Sequence, residues 1–116
     1  MKIAELAKLV TDTLNEHKAL QINNLNVTML TDIADHVIIC SAASRRHAGA
    51  LADQVIHRVK ENGVRPLGVE GEVEGEWILI DFFDIIVHIM LPEIRDFYSL
   101  EKLWSMIEAS DERYEN

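Results

Sequence analysis

Histidine and cysteine are the residue types in this chain that most often hold metals, and their spacing decides whether they can. The chain has one cysteine and five histidines: His17, His36, His47, His57 and His88. None of the histidines forms an H-x-x-x-H or H-E-x-x-H pair, and the cysteine has no C-x-x-C partner. The spacing therefore gives no support to a zinc site, and we predict no metal ligands.

A nucleophile with its base could be sought in the segment SAASRRH, where Ser41 and Ser44 precede His47. A loop that enters a helix N-terminus also presents backbone donors to an anion. The segment has no glycine, however, and a helix N-cap is a sufficient role for Ser44. Asp81 and Asp84 lack the D-x-D spacing of a two-metal site. We predict no catalytic residue and no cofactor.

Charge and composition exclude several classes of partner. Eleven basic and twenty acidic residues give a formal net charge of -9, which repels phosphate backbones and argues against direct nucleic-acid binding. The 116 residues, 48% of them apolar, are enough for one domain with its own core. Cys40 in the apolar HVIIC predicts a buried thiol in a reducing compartment. Without a signal peptide or an apolar run of ~20 residues, a cytoplasmic protein with no membrane partner is expected.

Hydrophobic periodicity and turn residues predict the elements that must position any functional side chain. In chain order these are a helix over 2–17, strands over 20–27 and 35–42, a helix from the Ser44 N-cap to Gly63, a short strand over 66–71, a hairpin over 75–90 and a helix from Ser99. The order predicts an α/β fold in which helices pack on a mixed five-stranded sheet. The polar residues 107–116 are expected to fray.

The segment GEWILIDFFDIIVHIM predicts the hairpin in detail. If a two-residue turn at Phe83 and Asp84 joins its strands, the numbers of cross-strand partners sum to 167. One face is then uniformly apolar and must meet the core, since side chains alternate across a pleated sheet. The other face is mixed, and it carries Trp77, Leu79, Asp81, Ile86, His88 and Met90.

The mixed face permits two interpretations. Its composition is typical of a surface that meets another molecule, but a helix of the same chain could equally cover it. Acidic residues surround the hairpin, and Arg95 is the one basic residue between positions 70 and 96. Such a run is either a solvated acidic loop or the rim of a surface for an electropositive partner.

Four sequence blocks carry a resemblance along nearly the whole chain: DHVIICSAASRRH, PLGVEGEVEGEWILID, DIIVHIM and FYSLEKLW. Together they resemble the ribosomal silencing factor family, also called Iojap-like proteins. The resemblance implies a single domain over 1–116, similar to a minimal nucleotidyltransferase-like core and without an enzymatic reaction. It also implies a translational repressor that binds the large ribosomal subunit through large-subunit ribosomal protein fourteen and sterically blocks subunit joining.

The resemblance and the face assignment together predict the partner-binding residues. Direct contact is expected from Trp77, Leu79, His88, Met90 and Tyr98, and complementary charge from Glu76 and Asp81. Family members usually carry Gly-Asp at the turn occupied here by Phe83 and Asp84. Because a primed turn needs positive φ, Phe83 disfavours it, and a longer loop with a shifted pairing stays open beside the two-residue turn.

Two other function classes stay open from the sequence. One is a nucleotidyltransferase-like enzyme or nucleotide-binding protein, which needs a carboxylate pair able to hold magnesium. The other is a structural protein in which the mixed face buries itself in a homodimer, a state that could also exist off the ribosome. Binding of magnesium and nucleoside triphosphates would separate the first class from the repressor.

Overall fold

The computed structural model describes residues 1–104, and the predicted order of elements is confirmed through the fifth strand. The elements are helix α1 (Ile3–Glu16), strand β1 (Leu20–Asn26), strand β2 (His36–Ser41), helix α2 (Arg45–Glu61), strand β3 (Gly68–Glu70), strand β4 (Trp77–Asp81), strand β5 (Ile85–Met90) and helix α3 (Pro92–Tyr98). Within the described residues, no helix combines the length and the apolar character needed to cross a membrane.

The five strands form one mixed sheet with the order β1-β2-β5-β4-β3, as the predicted fold class requires. β2 and β5 pair in parallel at its centre, whereas the other neighbouring strands pair antiparallel. The parallel pair needs a long connection, and α2 with the β3–β4 segment supplies it. β3 is shorter than the predicted strand, because only Gly68–Glu70 pairs with β4.

One face of the sheet carries α1 and α2 and forms the main core. α2 begins where Ser44 Oγ accepts a hydrogen bond from the His47 backbone N–H, at 3.1 Å, so the predicted N-cap is confirmed. It ends before Gly63, whose φ of 82° suits glycine. The apolar face of the hairpin packs here, with Ile78, Ile80, Phe82, Ile85, Val87 and Ile89 all buried.

The β4–β5 hairpin keeps the predicted register. Trp77 pairs with Met90, Leu79 with His88, and Asp81 with Ile86. The longer loop that the sequence left open does not form: the turn has two residues, and Phe83 takes a φ of 77°. The Phe83 backbone N–H donates to Asp81 Oδ1 at 2.8 Å, which helps to hold this turn.

The other face of the sheet is partly covered by a helix that the sequence reading missed. Pro92 does end β5, but it also begins α3, which runs to Tyr98. Pro is favoured in the first helical turn because it has no N–H to satisfy there. The helix expected from Ser99 begins at residue 100 and continues to residue 104 in the described part of the chain. Ile107 and the predicted polar tail over 107–116 lie outside the described residues.

Candidate partner-binding surface

The mixed face of the hairpin is half covered and half open. Met90 and the two β2 residues Val37 and Ile39 are buried in a second, smaller core cluster. Ile94 of α3 and the partly buried residues Leu25, Leu30, Trp77, Leu100 and Trp104 pack against this cluster. The chain therefore covers the β2 side of the face and leaves the β4 side partly accessible. That the accessible part meets another molecule stays a prediction.

An aromatic cluster stands at the boundary between the two halves. We define it as Trp77, His88, Phe97 and Tyr98. The ring centroids of Trp77 and Tyr98 are 4.7 Å apart, and those of Trp77 and His88 are 5.8 Å apart. Phe97 meets Tyr98 edge to face at 5.1 Å. Such tilted and edge-on arrangements are favoured by the ring quadrupoles, so the cluster forms a preorganised aromatic surface.

His88 fixes the orientation of the Trp77 indole. Trp77 Nε1 donates a hydrogen bond to His88 Nδ1 at 2.9 Å, across neighbouring strands. Since Nδ1 accepts, a neutral His88 carries its proton on Nε2. Burial lowers the pKa of His88 to about 4, because the charged imidazolium would lose its hydration. The ring therefore stays neutral near pH 7 and remains an acceptor for the indole.

Leu79 and Trp77 line a shallow groove on the open half of the face. Glu70 and Gly71 complete its lining, and its volume is about 350 Å³. Gly71 has a φ of 84°, and a Cβ at this position would overlap the Trp77 carbonyl oxygen. The chain can therefore fold back over the start of β4 only with glycine here. The groove offers an apolar floor with an acidic side chain at its edge.

Three of the predicted partner-binding residues are either buried or bonded to other groups of the same chain. Met90 is fully buried beneath the aromatic cluster, so it supports the surface without forming part of it. The Glu76 carboxylate pairs with Arg45 Nη2 of α2 at 2.5 Å and is turned away from the Trp77 side of the strand. Asp81 is half-buried, and its Oδ1 accepts the hydrogen bond from Phe83. Trp77, Leu79, His88 and Tyr98 are the predicted residues that the fold brings together.

Arg95 is the residue of this region that the sequence reading did not assign. It is buried on α3, where Nη1 donates to Ser41 Oγ at 2.9 Å and Nε donates to Glu101 Oε1 at 2.8 Å. The hydrogen bond from Arg95 is the largest effect lowering the pKa of Glu101. The bond to Ser41 ties α3 to β2, and the bond to Glu101 ties α3 to the helical segment that follows it. α3 carries Tyr98, whose ring contacts Trp77. A sequence signal existed, because Arg95 stands alone as a base among the acids of positions 70 to 96.

The SAASRRH segment has structural contacts in place of a nucleophile and base. Ser41 is buried and receives Arg95, while Ser44 caps α2. His47 Nδ1 accepts from the Ala43 backbone N–H at 2.9 Å, and its Nε2 lies 2.9 Å from the His17 carbonyl oxygen. His47 thus joins the end of α1 to the start of α2. Residues 1–104 contain no group of three His, Cys, Asp or Glu side chains placed to hold a metal ion.

Comparison with known proteins shows the family of the chain. The whole chain, residues 1–116, matches the family described as ribosomal silencing factor during starvation. The chain belongs to the ribosomal silencing factor family. The ribosomal silencing factor of Chromobacterium violaceum is 40% identical over 104 residues, which cover 90% of this chain and 85% of that protein. Family membership implies a ribosome-associated silencing role.

Two further relatives extend the comparison. A crystal structure of a Chromobacterium violaceum protein superposes with a TM-score of 0.89 at 40% identity, covering 90% of this chain and 88% of that chain. A mouse protein named mitochondrial assembly of ribosomal large subunit protein 1 is 29% identical over 107 residues, which cover 90% of this chain but 47% of the mouse protein. The ribosomal silencing factors are named as regulators and not as enzymes.

Proposed function

We propose that the protein is a translational repressor that binds the large ribosomal subunit and sterically prevents the small subunit from joining it. The docking partner in this proposal is large-subunit ribosomal protein fourteen. Family membership supports the ribosomal role, and the name of the mouse relative supports the choice of the large subunit. The observation that carries the proposal is the accessible aromatic cluster beside the Leu79 groove.

The aromatic cluster has the properties of an interface centre. Tyr98 is 51% exposed and Phe97 is 81% exposed, although both are large apolar side chains. The hydrogen bond to His88 and the contact with Tyr98 hold Trp77 in one orientation before a partner arrives. Little side-chain freedom is therefore lost on binding, and buried aromatic anchors of this kind often contribute ~2 kcal/mol or more on truncation.

The charge around the cluster favours a basic partner. Glu70 lies at the edge of the groove, and Glu72 and Glu74 are exposed in the turn that leads into β4. Glu76 is excluded from this rim because it pairs with Arg45. Exposed acids at a rim attract a basic surface during diffusion more than they strengthen the final complex. A basic ribosomal protein therefore suits this surface better than an exposed stretch of ribosomal RNA.

Co-sedimentation with separated ribosomal subunits tests the proposal. We expect the wild-type protein to pellet with large subunits and not with small subunits. Trp77→Ala should lose this co-sedimentation while keeping a native circular dichroism spectrum, because the main core lies on the other face of the sheet and does not include Trp77. Val73→Ala is the matched control, since Val73 is an apolar side chain that is 96% exposed outside the cluster. A folded Trp77→Ala protein that still pellets would contradict the assignment of the surface.

A further inference from the structure

A second group of exposed apolar side chains lies at the opposite end of the sheet from α3. Ile33 is 73% exposed, and Leu67 and Phe83 are each 68% exposed. We call these three residues the turn-end patch. None of them belongs to the aromatic cluster, and neither of the two core clusters includes them. Large apolar residues that gather at one place on a surface often mark an interaction site.

Backbone hydrogen bonds bring the three residues to one edge. The Asp84 carbonyl oxygen accepts from the backbone N–H groups of Asp35 and His36, at 2.8 and 3.1 Å, which fixes the loop of Ile33 beside the Phe83 turn. The Leu67 backbone N–H donates to the Asp81 carbonyl oxygen at 2.7 Å on the other side of the same turn. The turn-end patch is therefore a row across the ends of β2, β5, β4 and β3.

Phe83 occupies an unfavourable backbone conformation. Its φ is 77°, and the Asp84 backbone N–H donates to the Phe82 carbonyl oxygen at 3.1 Å, which closes a three-residue γ-turn around it. A bulky side chain is rare at positive φ, and γ-turns of this hand are strained. Glycine would adopt the conformation freely and would expose no ring. The strained backbone at Phe83 destabilises the isolated protein, and strain of this kind often marks a functional position.

The charge around the turn-end patch defines the chemistry of its partner. The segments 31–36, 64–68 and 81–85 carry the acids Asp32, Asp35, Asp81 and Asp84 and the single base Arg65. An excess of carboxylates disfavours nucleic acid and anionic lipid surfaces. It favours a protein segment that combines lysine or arginine with an apolar side chain, which could pack on Phe83 and also reach the acids.

We propose that the turn-end patch is a second docking surface, occupied by a basic segment of a large-subunit ribosomal protein. This inference rests on the proposed function, since it assumes that the protein binds the large subunit. It adds a contact at the opposite end of the sheet from α3. Two separated contacts would restrict the orientation of the protein on the subunit more than the aromatic cluster does alone.

Two substitutions at one position test the contribution of the ring. Phe83→Gly and Phe83→Ala both remove it, and each should weaken binding to purified large subunits by about tenfold. Only glycine relieves the positive φ, so Phe83→Gly should melt roughly 4 °C above Phe83→Ala. Val73→Ala is again the control for loss of an exposed apolar side chain. Binding by both Phe83 variants that equals the wild type would overturn the proposal.

Photo-cross-linking identifies the occupant and separates the two proposals. We would place p-benzoylphenylalanine at position 83 or at position 97, where Phe97 is 81% exposed, and irradiate each protein with purified large subunits. A ribosomal-protein adduct from position 83 supports the inference. Three outcomes overturn the inference and leave the proposed function intact: an adduct from position 83 to ribosomal RNA, an adduct to a second copy of the chain, or no adduct from position 83 while position 97 reacts. Failure of the wild-type protein to bind large subunits would overturn both.

Discussion

Trp77 Nε1 donates a hydrogen bond to His88 Nδ1 across two neighbouring strands, and this bond joins the anchor of the proposed interface to a titratable ring. The tryptophan belongs to β4 and the histidine to β5, so the turn between the strands fixes their relative position. A change in the protonation of His88 therefore changes the surface that Trp77 presents.

Stability should fall with decreasing pH through the titration of His88. Burial lowers its pKa from 6.5 to about 4, so between these pH values the unfolded chain binds a proton that the folded protein does not bind. The stabilisation is complete above pH 6.5 and is lost as the pH falls towards 4, by up to about 3 kcal/mol. Denaturant unfolding at several pH values measures it. His88→Asn, which keeps an acceptor but does not titrate, should show a smaller fall, and an identical fall would exclude His88 as the cause.

The acidic rim and the apolar groove should act on different rate constants. Changing Glu72 and Glu74 to glutamine should slow association with immobilised ribosomal protein fourteen at low salt, and the difference should vanish as salt screens the rim over ~8 Å. Leu79→Ala should raise the dissociation rate at every salt concentration. Surface plasmon resonance gives both constants. Unchanged association of the glutamine variant at low salt would mean that the acids form only a solvated loop.

Inhibition of subunit joining should be stoichiometric. A protein that acts by occupying space blocks one large subunit per bound copy, so inhibition should saturate at about one copy per subunit. Light scattering of mixed subunits during titration with the protein measures the endpoint. Complete inhibition at a small fraction of one copy per subunit would indicate turnover and would contradict steric occlusion. The Trp77→Ala protein provides the inactive control.

Cys40 should report the opening of the sheet. Its side chain is fully buried in β2, and burial raises the pKa of the thiol to about 12, so the reactive thiolate is scarce in the folded protein. Alkylation by iodoacetamide should therefore be slow in native buffer and should accelerate with denaturant in parallel with loss of secondary structure. Rapid alkylation without denaturant would show that β2 opens locally.

The sequence predicted the sheet, its hairpin register and the face of Trp77 because these follow from alternation within short segments. The sum of 167 for paired residues needs only a two-residue turn, and the fold has that turn. The exception at Phe83 shows the limit of this reasoning. Phenylalanine disfavours positive φ. The free energy gained by pairing the two apolar strands nevertheless exceeds the cost of the strain at Phe83.

The burial of Met90 and the orientation of Glu76 could not be predicted, because both depend on contacts between segments distant in the chain. Met90 is covered by α3 and by the residues that follow it, and Glu76 is held by Arg45 of α2. The role of Arg95 depends in the same way on Ser41. Periodicity assigns a side chain to a face of its own element and says nothing about which other element packs there.

The parallel pairing of β2 with β5 at the centre of the sheet has a consequence for how the chain folds during synthesis. Local contacts can form α1 with β1 and β2 early, but β2 obtains its second neighbour only when β5 has left the ribosomal exit tunnel. Until then, Ile38 and Ile39 belong to an unfinished sheet edge. Closure of such a long connection is slow compared with hairpin formation. We therefore expect cooperative folding to wait until β5 has emerged, with an aggregation-prone β2 edge exposed in nascent fragments that have released β2 but not β5.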